Sequence, residues 1–542
     1  MITLDGRSLT IEQLAQIARD PSQRVTRDSA ANERVAKSEA LIRKLVDKYR
    51  QSGERTYGVT TGFGEFKDKT IPPADLEQLQ RNLLLSHSVG VCGGDAAYFD
   101  AEVVRGALVT RLNAFLLGHS GVRKTMVDIV EAMINRGVVP LVPLKGSVGA
   151  SGDLCPLAHT FATLLGVGEF LVDEKKHPAS ELPSLLGFSA EAMKPTFKEG
   201  LALVNGVNYS ASMLALGVFD AERIADLADV AAAMTLEAMC GCRGALDPKV
   251  HEARGHPGQI RSAARMREML EGSQLLERAA AVQDAYSLRC APQVHGASRD
   301  AIGFVRTTAE REINAATDNP LFFPDQSEAA FSAGNFHGQP IAIAADLLTI
   351  ALAELANISE RRIAMLLDGN HNRRLPQNLT TRPGVNSGLM IAQYTAASLV
   401  SENKVLAHPA SVDSIPTSAN AEDHVSMSTH AARKMRTVLR NVQDVLAMEF
   451  LVAAQALDWR VGMSMDPRAP RVDMSLKEAD EQARKFESVQ PKSVAPSVAP
   501  RLRDFYLRVR EVSPAVVRDR ALSDDVQRVD DALFSAGTRK KP

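Results

Sequence analysis

The chain has 542 residues, of which 45% are hydrophobic and 24% are charged, the balance of an ordinary globular protein. Its 63 basic and 65 acidic side chains leave a net charge of −2, and only 5% of the residues are aromatic. This composition lacks the basic footprint and the stacking side chains that nucleic-acid or membrane-surface binding requires. Five cysteines without framework spacing, and an N-terminus without an apolar run, predict a cytoplasmic protein.

Helical periodicity dominates the chain. Ala101 to Gly118 predicts a helix that stops at Gly-His-Ser-Gly, with a new helix from Val122. Apolar residues then recur three to four positions apart through Val204 to Met239 and through Pro340 to Leu367. The same spacing marks one face of a later helix, at Val442, Val445, Leu446, Phe450, Ala453 and Leu457. The sequence therefore predicts a mainly α protein whose helices are long enough to form a bundle.

The chain order suggests three domains. We expect an N-terminal domain over 1–200, a central long-helix bundle over 201–487, and a proline-rich linker with a helical tail over 488–542. Prolines in Ser488 to Pro500 forbid a continuous helix, which favours a surface connection there. The most apolar stretch, Ile341 to Leu355, is interrupted by acidic residues and is too short to span a membrane.

The most informative segment is Ala150-Ser151-Gly152, called the triplet below, which glycine flanks at Gly149. In a tight turn such a tripeptide can cyclise, and glycine permits the backbone conformations that this needs. The Gly152 nitrogen attacks the Ala150 carbonyl with loss of water, and Ser151 then loses its hydroxyl as a second water. The product is 4-methylidene-imidazol-5-one (MIO), an electrophilic alkene made from the chain itself. The alternative is an ordinary loop.

Two other chemistries are disfavoured. His251 and His256 resemble a zinc-protease motif that is one residue too long, because only positions i and i+4 share a helix face. Ser151 does not fit the G-x-S-x-G pattern of serine hydrolases, because Asp153 occupies the final glycine position. We therefore expect no metal and no serine-hydrolase chemistry.

Four further segments are rich in polar groups. The loop 56–64 places Tyr57 among three glycines, either as a surface loop with a packed aromatic or as a lid that carries a phenol into a site. Segment 85–88 contains a Ser-His pair, whose histidine could equally be a core residue. In 283–289 a Tyr and an Arg lie three apart and would share a helix face. Segment 418–424 is either a helix cap or part of a site.

Together with Gly-Ser-Val-Gly-Ala-Ser-Gly-Asp-Leu and Leu203-Val204-Asn205-Gly206, these segments resemble the aromatic amino acid ammonia-lyase and 2,3-aminomutase family. The resemblance runs from the Tyr57 loop to Leu457-Asp458. It implies a long-helix bundle of the ammonia-lyase (fumarase/aspartase-like) type and a homotetramer whose active sites draw on several subunits. It also implies an MIO formed autocatalytically from the triplet, with no metal or dissociable cofactor.

The resemblance assigns roles to individual residues. The substrate amine adds to the carbon derived from Ser151, which makes nitrogen part of a better leaving group. Tyr57 matches the residue that acts as general base in the family. A phenol has an ordinary pKa of about 10, so its surroundings must lower that pKa if it is to act as a base near neutral pH. Arg289 would hold the substrate carboxylate in a bidentate fork. Other positions that match the family's substrate and MIO site are Asn205, Gln283, Tyr286 and Phe336.

The residues that indicate the substrate follow two different family patterns. Ser86-His87 and Glu422 resemble histidine ammonia-lyases, and the Glu422 carboxylate could accept an imidazole N–H or help a proton transfer. Glu65 and Tyr394 instead resemble tyrosine 2,3-aminomutases. We therefore expect L-histidine to urocanate first and L-tyrosine to coumarate second. The alternatives are an aminomutase that makes a β-amino acid in the same site and a non-enzymatic helical scaffold whose triplet never cyclises.

Overall fold

The computed structural model describes residues 1–92, 97–279, 281–326, 330–469 and 475–534. These residues are mainly helical, with three small sheets. The first sheet pairs β1 with β2 in parallel, the second has the antiparallel order β3-β4-β5, and the third pairs β6 with β7 in antiparallel orientation. The predicted α class is confirmed.

The helices of the N-terminal half are α1 Ile11–Arg19, α2 Ser29–Ser52, α3 Leu76–His87, α4 Ala101–Leu116, α5 Lys124–Asn135, α6 Leu154–Ala162, α7 Leu182–Leu186, α8 Ala190–Met193, α9 Glu199–Val204 and α10 Asn208–Ala238. The later helices are α11 Pro248–Glu252, α12 Pro257–Met269, α13 Tyr286–Arg289, α14 Ala291–Glu312, α15 Gln339–Leu367, α16 Met390–Leu406, α17 Ser428–Leu457, α18 Leu476–Glu487, α19 Pro491–Val494, α20 Arg503–Val512 and α21 Ser523–Phe534. The strands are β1 Ile2–Leu4, β2 Val25–Arg27, β3 Val139–Pro140, β4 Glu169–Val172, β5 Lys175–Pro178, β6 Leu321–Phe322 and β7 Ala330–Phe331.

The longest predicted helices form where the periodicity places them. Helix α15 covers the predicted 340–367, and α17 contains the predicted apolar face, whose six residues are all 0% exposed. Burying such a stripe, rather than intrinsic propensity, supplies most of the stability of a protein helix. Helix α4 ends at Leu116 and is followed by Gly118 at φ +80°, the left-handed conformation expected of a helix-stopping glycine.

The predicted helix over 204–239 is interrupted at its start. Helix α9 ends at Val204, and α10 begins only at Asn208. Between them Gly206 adopts φ +148°, and its carbonyl accepts a hydrogen bond from the Asp153 amide at 2.7 Å. A Cβ on Gly206 would lie 2.4 Å from the Thr317 carbonyl oxygen. The break therefore brings this backbone against the triplet, a long-range contact that periodicity cannot reveal.

The described residues fall into two compact units. The first comprises those of 1–219, 304–346 and 409–436, and the second those of 220–303, 347–408 and 437–542. This division differs from the three consecutive domains expected from the sequence. Four of the five division points, after residues 219, 303, 346 and 436, fall inside the long helices α10, α14, α15 and α17.

The proline-rich segment is not a surface linker, contrary to expectation. Its residues form α19 and a following 3₁₀ turn in the second unit. Val494, Val498 and Ala499 are at most 1% exposed, and the Ala499 amide donates to the Glu237 carboxylate at 2.9 Å. Pro491 and Pro496 stand in the first turn of α19 and of the 3₁₀ turn, where proline is tolerated, and the small apolar residues between the prolines pack into the core.

Helix α15 has the length and hydropathy of a membrane span. Its 29 residues contain a window of mean hydropathy 1.8, longer than the apolar stretch recognised in the sequence. However, 67% of that window is buried in the protein. The core helix of a soluble protein gives the same signal, so this one helix is weak evidence for a membrane span.

Candidate active site

The triplet forms a tight turn just before α6 in the first unit. Gly149 and Gly152 adopt φ +71° and +78°, values that favour glycine. The Gly149 carbonyl accepts a hydrogen bond from the Ser426 hydroxyl at 3.1 Å. On the other side, the Gly206 amide donates to the Ser151 carbonyl at 3.4 Å. Both ends of the turn are therefore held by other segments of the unit.

Asp153, which follows the triplet, is fully buried. Its carboxylate accepts hydrogen bonds from the Ser210 amide at 2.8 Å and from the Thr429 hydroxyl at 2.6 Å. Burial raises the pKa of this carboxyl, and the hydrogen bonds oppose that rise. Asp153 was not among the predicted site residues. The only local signal for a role in the site was a carboxylate at the start of a helix.

Glu422 directly contacts the triplet. The Ser151 hydroxyl donates to one Glu422 carboxylate oxygen at 3.0 Å, and the Thr417 hydroxyl donates to the other at 2.7 Å. A backbone bridge between Thr417 and Glu422 closes this turn, in which Ser418, Ala419 and Asn420 have φ between +51° and +66°. Helix α17 begins only at Ser428, so the segment 418–424 supplies a side chain to the triplet and does not cap the helix.

Tyr57 is half-buried in a well-packed loop. Val59 and Thr60 are 0% exposed, and the Thr60 hydroxyl accepts a hydrogen bond from the Thr56 amide at 2.8 Å. Burial raises the pKa of Tyr57, the negative charge of Glu422 raises it further, and the Gly64 amide opposes both. The expectation of a lowered pKa is therefore wrong for the single chain, because burial disfavours the phenolate.

Ser86 and His87 end helix α3. The Ser86 hydroxyl lies 3.0 Å from His87 Nδ1, and the His87 ring is half-buried. Burial lowers the pKa of His87, whereas the Leu83 carbonyl and the charge of Glu422 oppose that effect. Glu422 thus interacts electrostatically with both Tyr57 and His87 and is hydrogen bonded to Ser151.

Three other predicted residues also belong to the first unit. Asn205 is 3% exposed; its main-chain carbonyl accepts from Arg111 at 2.6 Å, while its side-chain oxygen has no partner among the described residues. Phe336 is half-buried in the turn that leads to Gly338. Glu65 is exposed, and no described contact joins its side chain to the triplet.

The remaining predicted residues belong to the second unit and are largely exposed. Tyr286 is 70% exposed on α13, Tyr394 is 61% exposed on α16, and Gln283 is exposed. The Arg289 guanidinium lies 4.4 Å from the centre of the Tyr286 ring, which confirms that these two side chains share a helix face. Tyr286 and Arg289 therefore form a cation–π pair whose aromatic ring is exposed to solvent.

The buried side chain of Asp284 fixes the exposed segment 283–289 to the rest of its unit. Asp284 is 5% exposed, and its carboxylate accepts hydrogen bonds from the Cys242 amide at 2.7 Å and from Arg373 at 2.5 Å. Arg373 in turn donates to the Met239 carbonyl at 2.9 Å. A buried ion pair thus fixes the backbone that carries Gln283, Tyr286 and Arg289. The sequence carries no local signal for this anchor.

No group of three or more His, Cys, Asp or Glu side chains that could hold a metal ion occurs in the described part of the chain. Both nitrogens of His251 are already engaged, Nδ1 with the Gln259 amide at 2.9 Å and Nε2 with the Ala245 carbonyl at 3.1 Å. The zinc-protease-like spacing at His251 therefore belongs to a structural histidine.

Comparison with known proteins is consistent with this arrangement. The family model for aromatic amino acid lyases matches residues 9–481. A histidine ammonia-lyase of Caldanaerobacter subterraneus subsp. tengcongensis is 50% identical over 479 residues, which cover 88% of this chain and 92% of the relative.

Two solved structures extend the likeness to the fold. Histidine ammonia-lyase from Trypanosoma cruzi matches with a TM-score of 0.83 and 38% identity, covering 99% of this chain and 94% of that one. Tyrosine aminomutase from Streptomyces globisporus matches with a TM-score of 0.85 and 33% identity, covering 98% and 97%. With the family model matched over most of its length, the chain belongs to the aromatic amino acid lyase family.

Proposed function

We propose that this protein is a carbon–nitrogen lyase that eliminates ammonia from L-histidine to give urocanate. The observation that carries the proposal is the contact between the Ser151 hydroxyl and Glu422 at 3.0 Å, with Tyr57 and His87 within the electrostatic reach of the same carboxylate. The similarity to histidine ammonia-lyases along most of the chain supports histidine as the substrate.

The residues of the triplet fit the formation of an MIO. Gly149 and Gly152 hold the left-handed conformations of a tight turn. A Cβ on Gly152 would lie 2.2 Å from the Gly206 carbonyl oxygen, so only glycine fits at the nucleophilic position. When formed, the group supplies an electrophilic carbon that makes the substrate nitrogen a better leaving group.

Tyr57 is the residue we assign to removal of the β-proton. Its phenol is half-buried next to Glu422, and the Gly64 amide stabilises the phenolate. Because burial raises its pKa, only a small fraction of the phenol is ionised near neutral pH in the single chain. A correctly placed base of this kind contributes roughly 10²–10⁴ in rate.

Glu422 and His87 are the residues we assign to recognition of the imidazole ring. The Glu422 carboxylate can accept an imidazole N–H, and a neutral His87 can donate or accept one hydrogen bond. Burial lowers the pKa of His87, which favours the neutral form near pH 7. A paired acceptor and neutral donor suit a ring that has one N–H and one bare nitrogen.

Arg289 is the residue we assign to the substrate carboxylate, and the exposed side chains elsewhere in its unit support assembly with further copies of the chain. Tyr286 and Tyr394 are 70% and 61% exposed, and on α16 Ile391 and Val405 are 58% and 71% exposed. Exposed apolar surface of this kind marks an interaction site. We therefore propose a homotetramer in which copies share active sites, located in the cytoplasm, where the five free cysteines would stay reduced.

An aminomutase is the second candidate. The likeness to a tyrosine aminomutase over nearly the whole chain supports it, as does the resemblance of Glu65 and Tyr394 to residues of tyrosine aminomutases. Such an enzyme differs from a lyase in keeping ammonia and the unsaturated acid bound until nitrogen adds again at Cβ.

Product analysis separates these functions. The purified protein is given an equal mixture of L-histidine and L-tyrosine, and all products are followed by chromatography with mass detection. We expect urocanate alone. Coumarate alone would replace histidine by tyrosine, and a β-amino acid as the main product would make the protein an aminomutase. The Ser151→Ala variant, incubated in parallel, reports any background reaction.

A further inference from the structure

Two serine hydroxyls lie between the triplet and the glycine-rich turn at Gly338. A Cβ added to Gly149 would lie 2.4 Å from the Ser426 hydroxyl oxygen and 2.9 Å from that of Ser428. A Cβ on Gly338 would lie 2.9 Å and 2.4 Å from the same two oxygens. Both serines are 0% exposed. The two hydroxyls therefore occupy nearly equivalent places against the turn.

Their hydrogen bonds are not equivalent. The Ser426 hydroxyl donates to the Gly149 carbonyl at 3.1 Å and accepts from the Ser428 amide at 3.3 Å. The Ser428 hydroxyl is buried and has no hydrogen-bond partner within the described ranges. Only one of the two hydroxyls is therefore connected to the backbone of the triplet.

The hydrogen bonds of the triplet fall on its outer peptide planes. Each peptide unit is planar, so holding its carbonyl oxygen fixes the whole unit. Ser426 holds the unit between Gly149 and Ala150, and the Gly206 amide holds the unit between Ser151 and Gly152. Neither the Gly152 nitrogen nor the Ala150 carbonyl oxygen is hydrogen bonded to another described residue. The Ala150 carbonyl therefore lies in a peptide unit between two held ones, and the Gly152 nitrogen lies in the unit that the Gly206 amide holds, although neither reacting group is itself hydrogen bonded to another described residue.

We propose that Ser426 is a positioning residue for the cyclisation of the triplet. By fixing the peptide unit before Ala150, its hydroxyl aims the Ala150 carbonyl carbon at the Gly152 nitrogen. The inference rests on the proposed function, since it requires that the MIO forms. Preorganisation of this kind lowers the entropy that ring closure must lose.

The reaction balances without an oxidant or a reductant. A bond forms between the Gly152 nitrogen and the Ala150 carbonyl carbon, and the carbonyl oxygen leaves as water with the amide hydrogens of Ser151 and Gly152. The Ser151 hydroxyl then leaves as a second water with the Ser151 Cα hydrogen, which creates the exocyclic double bond. The mature chain is therefore lighter by two waters, a change that does not depend on measuring catalysis.

The test follows this mass change in the full chain. Wild type, Ser426→Ala and Ser428→Ala are made by cell-free synthesis, synthesis is stopped, and samples are quenched in acid for intact-mass analysis. We expect Ser426→Ala to lose two waters roughly three- to tenfold more slowly than wild type, as for the loss of one hydrogen bond. Ser428→Ala removes an equivalent hydroxyl that bonds to nothing described, so its rate should match wild type.

Further measurements separate positioning from a loss of folding. Thermal unfolding of both variants should agree closely, and turnover per matured Ser426→Ala chain should equal that of wild type. If Ser426→Ala does not fold, Ser426→Cys serves instead, because a thiol fills the space but donates only weakly. Equal rates for wild type and the Ser426 variant, or equal slowing in both serine variants, would overturn the proposal. A wild-type chain that never loses water would overturn the proposed function itself.

Discussion

The two compact units carry different groups of the predicted site residues, and the two groups differ in how deeply they are buried. In the first unit, Ser151 and Glu422 are hydrogen bonded to each other, and Tyr57 and His87 are half-buried near the same carboxylate. In the second unit, Tyr286 and Tyr394 are more than half exposed, and Arg289 rests on the Tyr286 ring. The groups proposed to react and to recognise the imidazole ring lie within the packing of the first unit, whereas the group proposed to bind the substrate carboxylate lies beside an exposed ring of the second unit.

This comparison makes different substitutions informative about different steps. Changes to Ser151 and Tyr57 in the first unit should act on turnover or on maturation of the triplet. Changes in the second unit should act on KM and on assembly, because an exposed binding group needs another surface to complete its site.

The largest expected effect is that of Ser151→Ala. Without the serine hydroxyl no double bond can form, so the covalent route is lost. We expect kcat to fall by roughly 10³-fold or more, since enzymes commonly accelerate reactions by at least 10⁶. Steady-state urocanate formation measures the loss, and an unchanged unfolding temperature shows that the fold is retained. Wild-type turnover in this variant would remove the MIO from the mechanism.

The next largest effect is expected for Tyr57→Phe. Removing the proposed base should lower kcat by roughly 10²–10⁴. The intact mass should still be lighter by two waters, because the phenol does not touch the triplet backbone in any described hydrogen bond. Activity within a few fold of wild type would mean that another group removes the proton.

Arg289→Lys tests the exposed region. Lysine keeps the charge but loses the planar fork that pairs with a carboxylate. We expect kcat/KM to fall roughly 10- to 100-fold, mainly through KM, as for a lost charged hydrogen bond. Initial rates over a range of L-histidine concentrations separate the two constants. A fall confined to kcat would place Arg289 among the reacting groups. It would contradict the difference proposed between the two units.

Asp284→Asn should also weaken substrate binding, but by less than Arg289→Lys. The substitution removes the charge that pairs with Arg373 beneath the exposed segment, so Tyr286 and Arg289 lose their fixed placement. We expect KM to rise roughly tenfold, since small misplacements are costly in a site. The matched control is Arg373→Gln, which breaks the same pair from the other side. Unchanged KM in both variants would show that the segment does not need this anchor.

The smallest expected effect is a shift in pH dependence. The proposed base must lose its proton, so activity should rise with pH towards the pKa of Tyr57, which burial and Glu422 both raise. Glu422→Gln removes one of these causes and should move the rise to lower pH, whatever it does to the maximal rate. Glu65→Gln, which removes an exposed charge from the Tyr57 loop, should leave the profile unmoved. A shift to higher pH in Glu422→Gln would contradict this electrostatic account.

The sequence predicted those parts of the fold that leave a regular spacing or a motif in a short stretch of the chain. The spacing of apolar residues located α15 and the buried face of α17, and the ordered motifs located the triplet and its family. It missed features that depend on distant partners. The helix break at Gly206 is set by contact with Thr317 and Asp153, and the burial of 488–500 is set by its packing near Glu237.

The candidate site was predicted in the same uneven way. The resemblance named Ser151 and Glu422 as site residues without predicting the hydrogen bond between them, and the supporting roles of Asp153, Ser426 and Asp284 carry no periodic signal. The raised pKa of Tyr57 was also missed, because a motif names a phenol but does not report how deeply it is buried.

The division of the chain into units also orders events on the ribosome. The last segment of the first unit ends at residue 436, whereas the second unit still requires α21, which ends at Phe534. At roughly 5–20 residues per second, the intervening stretch takes several seconds or more to synthesise. Every described residue that holds the triplet has then already been translated. Maturation of a nascent chain can thus begin before the second unit has been fully translated.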